Sequence, residues 1–456
     1  MRLPGFGGAA VFLRSGGPSG QGFAWELGEF PLRLCQRMGH LPVFCEDRGV
    51  SELSDAVLPL IRTRADLHRR STANAHGVQM HQGVDILERA VETHPPAEVY
   101  SVTTAAIASA MKVIMRADDS SGIIGHACRR LLGMHPAAAL AARVAPARLV
   151  DWMIAFQFAN GCDFFEIDPV AYAPALGEKG VAAYRQRLVQ QEQEAGPRPG
   201  QGSLSYYSRD WFVLDWNAQR MAVMDKDVEG IIRTHARDRK AAAWYEDTAQ
   251  ALAEIGEFDL AIDWAQQATY LDTGYQSLVA SRYWCDLLAE HRPDDLLGAV
   301  VQVFHRWPKN ETATRLYRTA GPQWDDYADE VRQGLAANPW EAVSFALYTL
   351  QDVPLAWEWA HTLALTDARL WDDLVEAYSK IDATAVLPVL RMRVQSILGS
   401  TDVRNYKAAA GRLSTMRDLA RGTDAAADVD EFIAETREEN RLRPRLQREF
   451  DKAGLP

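Results

Sequence analysis

Cysteine is scarce and scattered: the 456 residues hold five, Cys35, Cys45, Cys128, Cys162 and Cys285. An odd number without close pairing excludes a disulfide framework and a zinc knuckle, and predicts reduced, mostly buried thiols in a cytoplasmic protein. Long apolar runs are missing too. No stretch approaches the roughly 20 residues needed to cross a bilayer, and the residues after Arg2 are broken by Gly and Pro where a signal-peptide core would lie. Positive charge is in deficit, with a formal net charge of -12, which argues against wrapping duplex nucleic acid or lying on anionic lipid. Neither disorder nor a fibrous class fits 47% hydrophobic and 24% charged residues. At this length the chain must split into domains or grow as a repeat array.

Signatures of catalysis are also wanting. No serine sits in a Gly-x-Ser-x-Gly elbow and no cysteine has a local catalytic setting. Gly17-Pro18-Ser19-Gly20-Gln21-Gly22 has the spacing of a phosphate loop, but Phe23 and Ala24 stand where its lysine and hydroxyl residue belong, so it reads as a flexible glycine loop. His126-Ala127-Cys128 and His135 are zinc-compatible donors, yet residues two apart on a helix do not face each other. His76 and His81 lie in a stretch without a dependable pattern. Two oxygen-rich clusters invite a cation. Asp118-Asp119-Ser120-Ser121-Gly122 reads as the cap of the next helix in preference to an ion site. In Asn160 to Asp168, a helix would put Asp163 and Glu166 on one face with Asp168 near, as paired catalytic carboxylates or metal ligands require; a loop with capping carboxylates is the better reading. No cofactor, metal or catalytic residue is therefore expected.

What is present is helical periodicity. Residues 1–82 form a Gly-rich, partly disordered segment with one helix near Leu53 to Arg70. Residues 83–195 follow as a helical domain, with apolar stripes through Val84 to Val91, Val99 to Ile114, Ile123 to Leu132, Leu149 to Phe158 and Glu178 to Leu188. Gly196-Pro197-Arg198-Pro199-Gly200-Gln201-Gly202 breaks the pattern, making 196–204 a loop or hinge. Residues 205–456 are the repeat region, ending in a charged, solvated helix broken by Pro444.

Its centre is Gly256-Glu257-Phe258-Asp259-Leu260-Ala261-Ile262-Asp263-Trp264-Ala265-Gln266-Gln267-Ala268, where a glycine closes one helix and small residues recur along the next. This resembles a tetratricopeptide hairpin, and degenerate echoes follow through Tyr283 to Phe304, Thr314 to Ala337 and Pro339 to Ala360. Such a hairpin cannot bury its apolar face alone. The fold expected is all-α: an irregular tetratricopeptide-like solenoid of helical hairpins behind a poorly ordered N-terminal segment. Trp244, Trp264 and Trp284 are candidate packing wedges or partner anchors, and Arg233, Arg237 and Arg239 are the core of the densest internal basic run.

The order of Asp118 to Gly122, Tyr172-Ala173-Pro174-Ala175-Leu176-Gly177-Glu178-Lys179-Gly180 with Tyr184-Arg185, the Gly256 hairpin and Arg443-Pro444-Arg445-Leu446 resembles the helical region of unknown function that follows the SWIM zinc finger in bacterial proteins. The finger itself needs Cys-x-Cys and Cys-x-His, and neither occurs. The resemblance implies no catalytic residue. The leading expectation is a cytoplasmic scaffold that binds another protein, with nucleic acid disfavoured and no membrane. One rival is an accessory factor in DNA transactions; another is a metal-dependent enzyme using Asp163, Glu166 and Asp168.

Overall fold

The computed structural model describes residues 51–159, 165–198, 209–399 and 402–456. These residues are all-α, with twenty-one α-helices and, among them, a single isolated β-bridge between Leu67 and Ala117. The chain divides into two compact units, Met1–Ile167 with Pro174–Glu194, and Asp168–Ala173 with Ala195–Pro456.

In the first unit, Ser51 accepts from the Ser54 amide at 3.1 Å and starts α1 (Glu52–Ile61), which buries Leu53, Val57, Leu58 and Ile61 at helical spacing. The helix expected to reach Arg70 stops at Ile61. Arg62 turns extended (φ -82°, ψ 141°), and Leu67, only 1% exposed, is drawn back beside Ala117. Burying that leucine defeats the continuing helical propensity. α2 (Arg70–Thr93) then runs straight through position 82, so residues 51–82 are largely helical and the expected limit falls inside a helix. Its buried stripe is Ala73, His76, Gly77, Met80, Gly83, Val84, Leu87 and Ala90; a histidine, two glycines and two alanines make that stripe faint in the sequence. α3 (Pro96–Ile114) and α4 (Ile123–Ala141) complete a cluster in which α1 packs on α2 and α3, and α4 on the same two. α5 (Pro146–Ile154) continues into a π turn, Ala155–Ala159, and Gln157 donates to the Tyr184 hydroxyl at 2.6 Å. Prolines open α3 and α5 where a missing N–H costs nothing.

α6 (Pro169–Ala195) contributes to both units and breaks at Gly177, whose φ of 60° and ψ of 177° no side-chain-bearing residue adopts comfortably. The break accounts for the glycine in the Tyr172 to Gly180 motif, while Tyr172 and Tyr184 are 1% and 0% exposed and serve as packing.

The second unit is a succession of hairpins. They are α7 (Arg209–Met224) with α8 (Val228–His235), α9 (Ala242–Glu254) with α10 (Phe258–Leu271), α11 (Tyr275–His291) with α12 (Pro293–Arg306), and α13 (Asn310–Ala320) with α14 (Ala328–Leu335) across a 3-10 turn. α15 (Pro339–Ser344) with a π turn, Phe345–Thr349, leads to α16 (Val353–Thr362); then come α17 (Ala368–Tyr378), α18 (Leu387–Leu398), α19 (Val403–Ala420), α20 (Ala426–Glu439) and α21 (Pro444–Lys452). At the first expected hairpin, Gly256 takes φ 92° and the Glu257 amide returns to the Leu252 carbonyl at 3.0 Å, a left-handed helix end. Ala249, Ala261, Ala265 and Ala268 are 0% exposed, and these methyl-sized side chains let α9 and α10 approach closely. One contiguous apolar core runs from Ala222 to Leu455. Helices of unequal length and the 3-10 and π turns make the repeat irregular.

At the chain end the helical run breaks before Pro444 as expected: α20 ends at Glu439, Arg443 takes φ -107° and ψ 78°, and Pro444 opens α21. The expected solvation fails, because Leu446 and Phe450 are fully buried with α21 packed on α19. Spacing of four residues gathers these two on one face while the arginines and glutamates take the other. No helix of the described residues is long and apolar enough to cross a membrane.

Candidate functional site

The basic run lies in the link between α8 and α9, where Arg237 and Arg239 both adopt left-handed φ values of 48° and 58°. Their guanidinium groups stack on rings: Arg237 lies 5.4 Å from the centre of Trp244, and Arg239 5.4 Å from that of Trp264. Two sets of residues picked separately from the sequence thus meet. Lys240 pairs with Asp238 at 2.9 Å, and Arg233 is exposed in the last turn of α8 without joining the stack.

Of the two roles open to the tryptophans, packing wedge or partner anchor, burial gives Trp264 and Trp284 the first. Trp264 and Trp284 are 8% and 4% exposed, the first against Tyr245 and the second edge-on to Tyr270, so both are core; Trp244 is half-buried. The aromatic rings that do reach solvent in this unit include Tyr275 (67%), Tyr348 (52%) and Trp340 (45%). A signal for them existed. In α11 the buried Leu278, Ser281, Cys285 and Leu288 define one side, which leaves Tyr275, Arg282, Tyr283, Asp286 and Glu290 on the other.

That other side is joined to the first helices of the neighbouring hairpins by polar links. Arg282 donates to Glu311 of α13 at 2.6 Å, and Arg315 of α13 returns to Asp286 at 2.8 Å. Thr314 meets Thr349 at 2.6 Å, and the adjacent Tyr348 donates to Asp373 of α17 at 2.6 Å. On the α9 flank, Glu246 is only 6% exposed. Its Oε1 accepts from Gln250 at 3.2 Å. Burial, reinforced by the charge of Asp247, pushes its carboxyl up to about 7. Burial, with the carboxylates of Glu246, Asp286 and Glu290, likewise pushes Tyr283 up to about 12.

The acidic candidates are engaged elsewhere. Asp119 accepts from the Ile124 and Gly125 amides at 2.9 and 2.8 Å, capping α4, and Asp118 accepts from the Ser120 amide at 3.2 Å. Asp168 accepts from the Val170 amide at 2.9 Å and receives both arms of Arg220, at 2.9 and 2.7 Å. Arg220 holds Glu254 in the same fork-to-fork manner at 2.7 and 2.6 Å. Its residue is 8% exposed; burial alone would lower its pKa, and the two carboxylates outweigh that and raise it. Sequence reasoning missed this triad, because its members lie 52 and 34 residues apart. Glu166 reaches the surface, and crowding by surrounding protein raises its pKa, an effect its solvent contact limits. Asp163 lies outside the described residues. Of the zinc-compatible set, Cys128 is fully buried and His135 is stacked 4.1 Å from Trp152, with burial lowering it to about 3. Among the described residues no three His, Cys, Asp or Glu side chains gather as a metal would need.

Residues 57–436 match a family of unknown function (DUF6880). The chain belongs to that family. The match spans α2 to α19 and most of α20, so the DUF6880 region takes in both units, the Arg220 triad and the α9 to α17 face together. No curated protein matches the chain.

Proposed function

We propose that this DUF6880 protein is a helical-hairpin scaffold that binds another protein along the linked first helices of its second unit, with Tyr275 and Tyr348 as aromatic contacts. The observation that carries this reading is the pairing of exposure with fixation. Tyr275 is two-thirds exposed yet lies on α11 beside Arg282, with which it interacts, and Arg282 is tied to α13; Tyr348 is half-exposed yet held by Asp373. Aromatic rings held in place at a surface contribute contact area at little cost in ordering, as protein interfaces favour. The acidic total suits a protein partner better than a polyphosphate.

The rival tied to the SWIM-associated resemblance, a factor in DNA transactions, draws support from the basic run alone, and its two central arginines are stacked on tryptophans. Cys128 and Cys285, buried and in no disulfide, support a reducing, cytoplasmic setting. A photo-reactive amino acid placed at Tyr275 or Tyr348 tests the proposal in native cells. The same discrete adducts should form from both positions and not from Val189, an exposed residue of the first unit; adducts from Val189 alone would contradict it.

A further inference from the structure

The link between α1 and α2 gathers with the end of α3 into a basic corner of the first unit. Arg62 donates to the Ser109 hydroxyl at 3.1 Å, and Arg116 donates to the Ala65 carbonyl at 3.2 Å and to that of Thr63. The Asp118 amide meets the Leu67 carbonyl at 2.8 Å, and Ser121 donates to Asn74 near the start of α2 at 2.6 Å. Residues 62–70 and 109–119 thus bring together six cations, Arg62, Arg64, Arg69, Arg70, Lys112 and Arg116, all exposed except the half-buried last. The same two stretches hold three carboxylates, Asp66, Asp118 and Asp119, each accepting from backbone amides. Among the described residues none of the six cations forms an ion pair, and the groups that Arg62 and Arg116 touch are neutral. Helix poles do not account for the charge. α1 ends at Ile61, while Arg69 and Arg70 open α2, whose first turn has no acidic residue and no side-chain cap. Cations at the positive pole of a helix cost stability, so these two work against the fold that carries them.

We infer that this corner docks a short acidic segment of a protein partner, its Asp and Glu side chains received by Arg62, Arg64, Arg69, Arg70 and Lys112. The surface is separate from the α9 to α17 face and its partner need not be the same protein. Arginine suits the task, because a guanidinium offers two parallel donors that match a carboxylate. The extent of the occupant follows from the charge of the whole chain. That charge is -12, so the residues outside the corner are more acidic still and repel a polyanion that overruns it. Duplex DNA carries a charge about every 1.7 Å without end, whereas a short acidic segment stops where the cations stop. At 0.1 M salt the acidic remainder is screened from it beyond about 10 Å. Neither stretch contains Phe, Tyr or Trp, so the corner lacks rings on which single-stranded bases stack.

The test presents the full chain with three probes at 50 mM salt: a labelled ten-residue peptide of alternating Glu and Gly, a labelled thirty-base-pair DNA duplex, and vesicles of phosphatidylserine with phosphatidylcholine. The peptide should bind, and more tightly than the other two. Arg64→Gln, Arg69→Gln and Arg70→Gln together should weaken it at least tenfold, and raised salt should weaken it on wild type. Replacing Arg233, Arg237 and Arg239 by Gln should leave peptide affinity within twofold, which separates this corner from the basic run of the second unit. The side chains of Arg64, Arg69 and Arg70 form no hydrogen bond with described residues, and the triple variant should melt no lower than wild type because two cations leave the positive pole of α2. Arg64→Gln alone, in the link and outside any helix, should weaken the peptide about threefold and repeats the test without touching α2. Equal peptide affinity on wild type and both variants, or no peptide binding at all, would overturn the inference. Tighter binding of the duplex or the vesicles than of the peptide would overturn the choice of an acidic protein segment.

Discussion

Arg130 donates from Nη1 to Nδ1 of His81 across 2.9 Å, while Nε2 of that ring meets the Ile123 carbonyl at 3.1 Å. A guanidinium cannot accept, so Nδ1 is bare, the proton sits on Nε2 and the ring is neutral. Asp85 and Glu88 fix Arg130 in this pose at 2.6 and 2.7 Å. Burial, then the charges of Arg130 and His126, lower the pKa of His81 despite the Ile123 bond.

Acid should therefore weaken the first unit before its carboxylates titrate. A histidine whose folded pKa is depressed contributes stability that is present above its unfolded value of about 6.5 and lost as pH falls below it. His135, lowered to about 3 by burial, has the same sign. For that residue the loss at pH 5 is about 2 kcal/mol. Urea midpoints should drop between pH 7 and 5, and His81→Gln should flatten the drop; a midpoint constant over that range would contradict the assignment.

Glu246 has the opposite sign. Its folded pKa of about 7 stands above the ordinary glutamate value of 4.5, so stability is fully present below 4.5 and lost as pH rises through 7. Glu246→Gln should raise stability at pH 8 by on the order of 2 kcal/mol and change little at pH 4. Denaturation at the two pH values distinguishes this from a gain independent of pH, which would mean the carboxylate is not strained by burial.

Removing Arg220 should be among the most damaging single changes in the second unit. Arg220→Met leaves Asp168 and Glu254 facing each other with no cation between them, a loss of about 2 kcal/mol, less than for a fully buried pair because both carboxylates reach solvent. Lysine cannot make two bidentate contacts, so Arg220→Lys should recover only a small part. Recovery of more than half in a denaturant titration would show that charge alone matters there.

Much of this was legible in the sequence, and the misses share a cause. Helices with a strong apolar stripe or a proline at their first turn, such as those at Val99 to Ile114 and after Pro146, lie where periodicity put them. The Gly256 hairpin does too, because a left-handed glycine and recurring buried alanines leave a local trace. α2 was lost where His76 and Gly77 occupy its buried stripe, and α1 was overextended because nothing local marks Leu67 as core. The site suffered most. Tryptophan type left Trp264 and Trp284 open as packing wedges or anchors, because which face of a helix is covered depends on the neighbouring hairpin, and the Arg220 triad depends on residues from three separate helices or their caps.

Stacking on Trp244 and Trp264 should keep the basic run from serving nucleic acid. At physiological salt the protein should show no appreciable affinity for labelled duplex DNA or RNA by fluorescence anisotropy. Tight, salt-sensitive binding abolished by replacing Arg233, Arg237 and Arg239 would establish the rival function, since each lost phosphate contact lowers the salt slope by about one.

The central claim is that exposed aromatic residues on the linked first helices hold a partner. Both Tyr275 and Tyr348 are on the surface, so Tyr275→Ala with Tyr348→Ala should leave the helical spectrum intact and cost little stability. The decisive measurement is quantitative affinity capture from native cells with wild type and the double variant side by side. The account predicts a stoichiometric protein partner on wild type, reduced at least tenfold on the double variant. Equal recovery on both would contradict it.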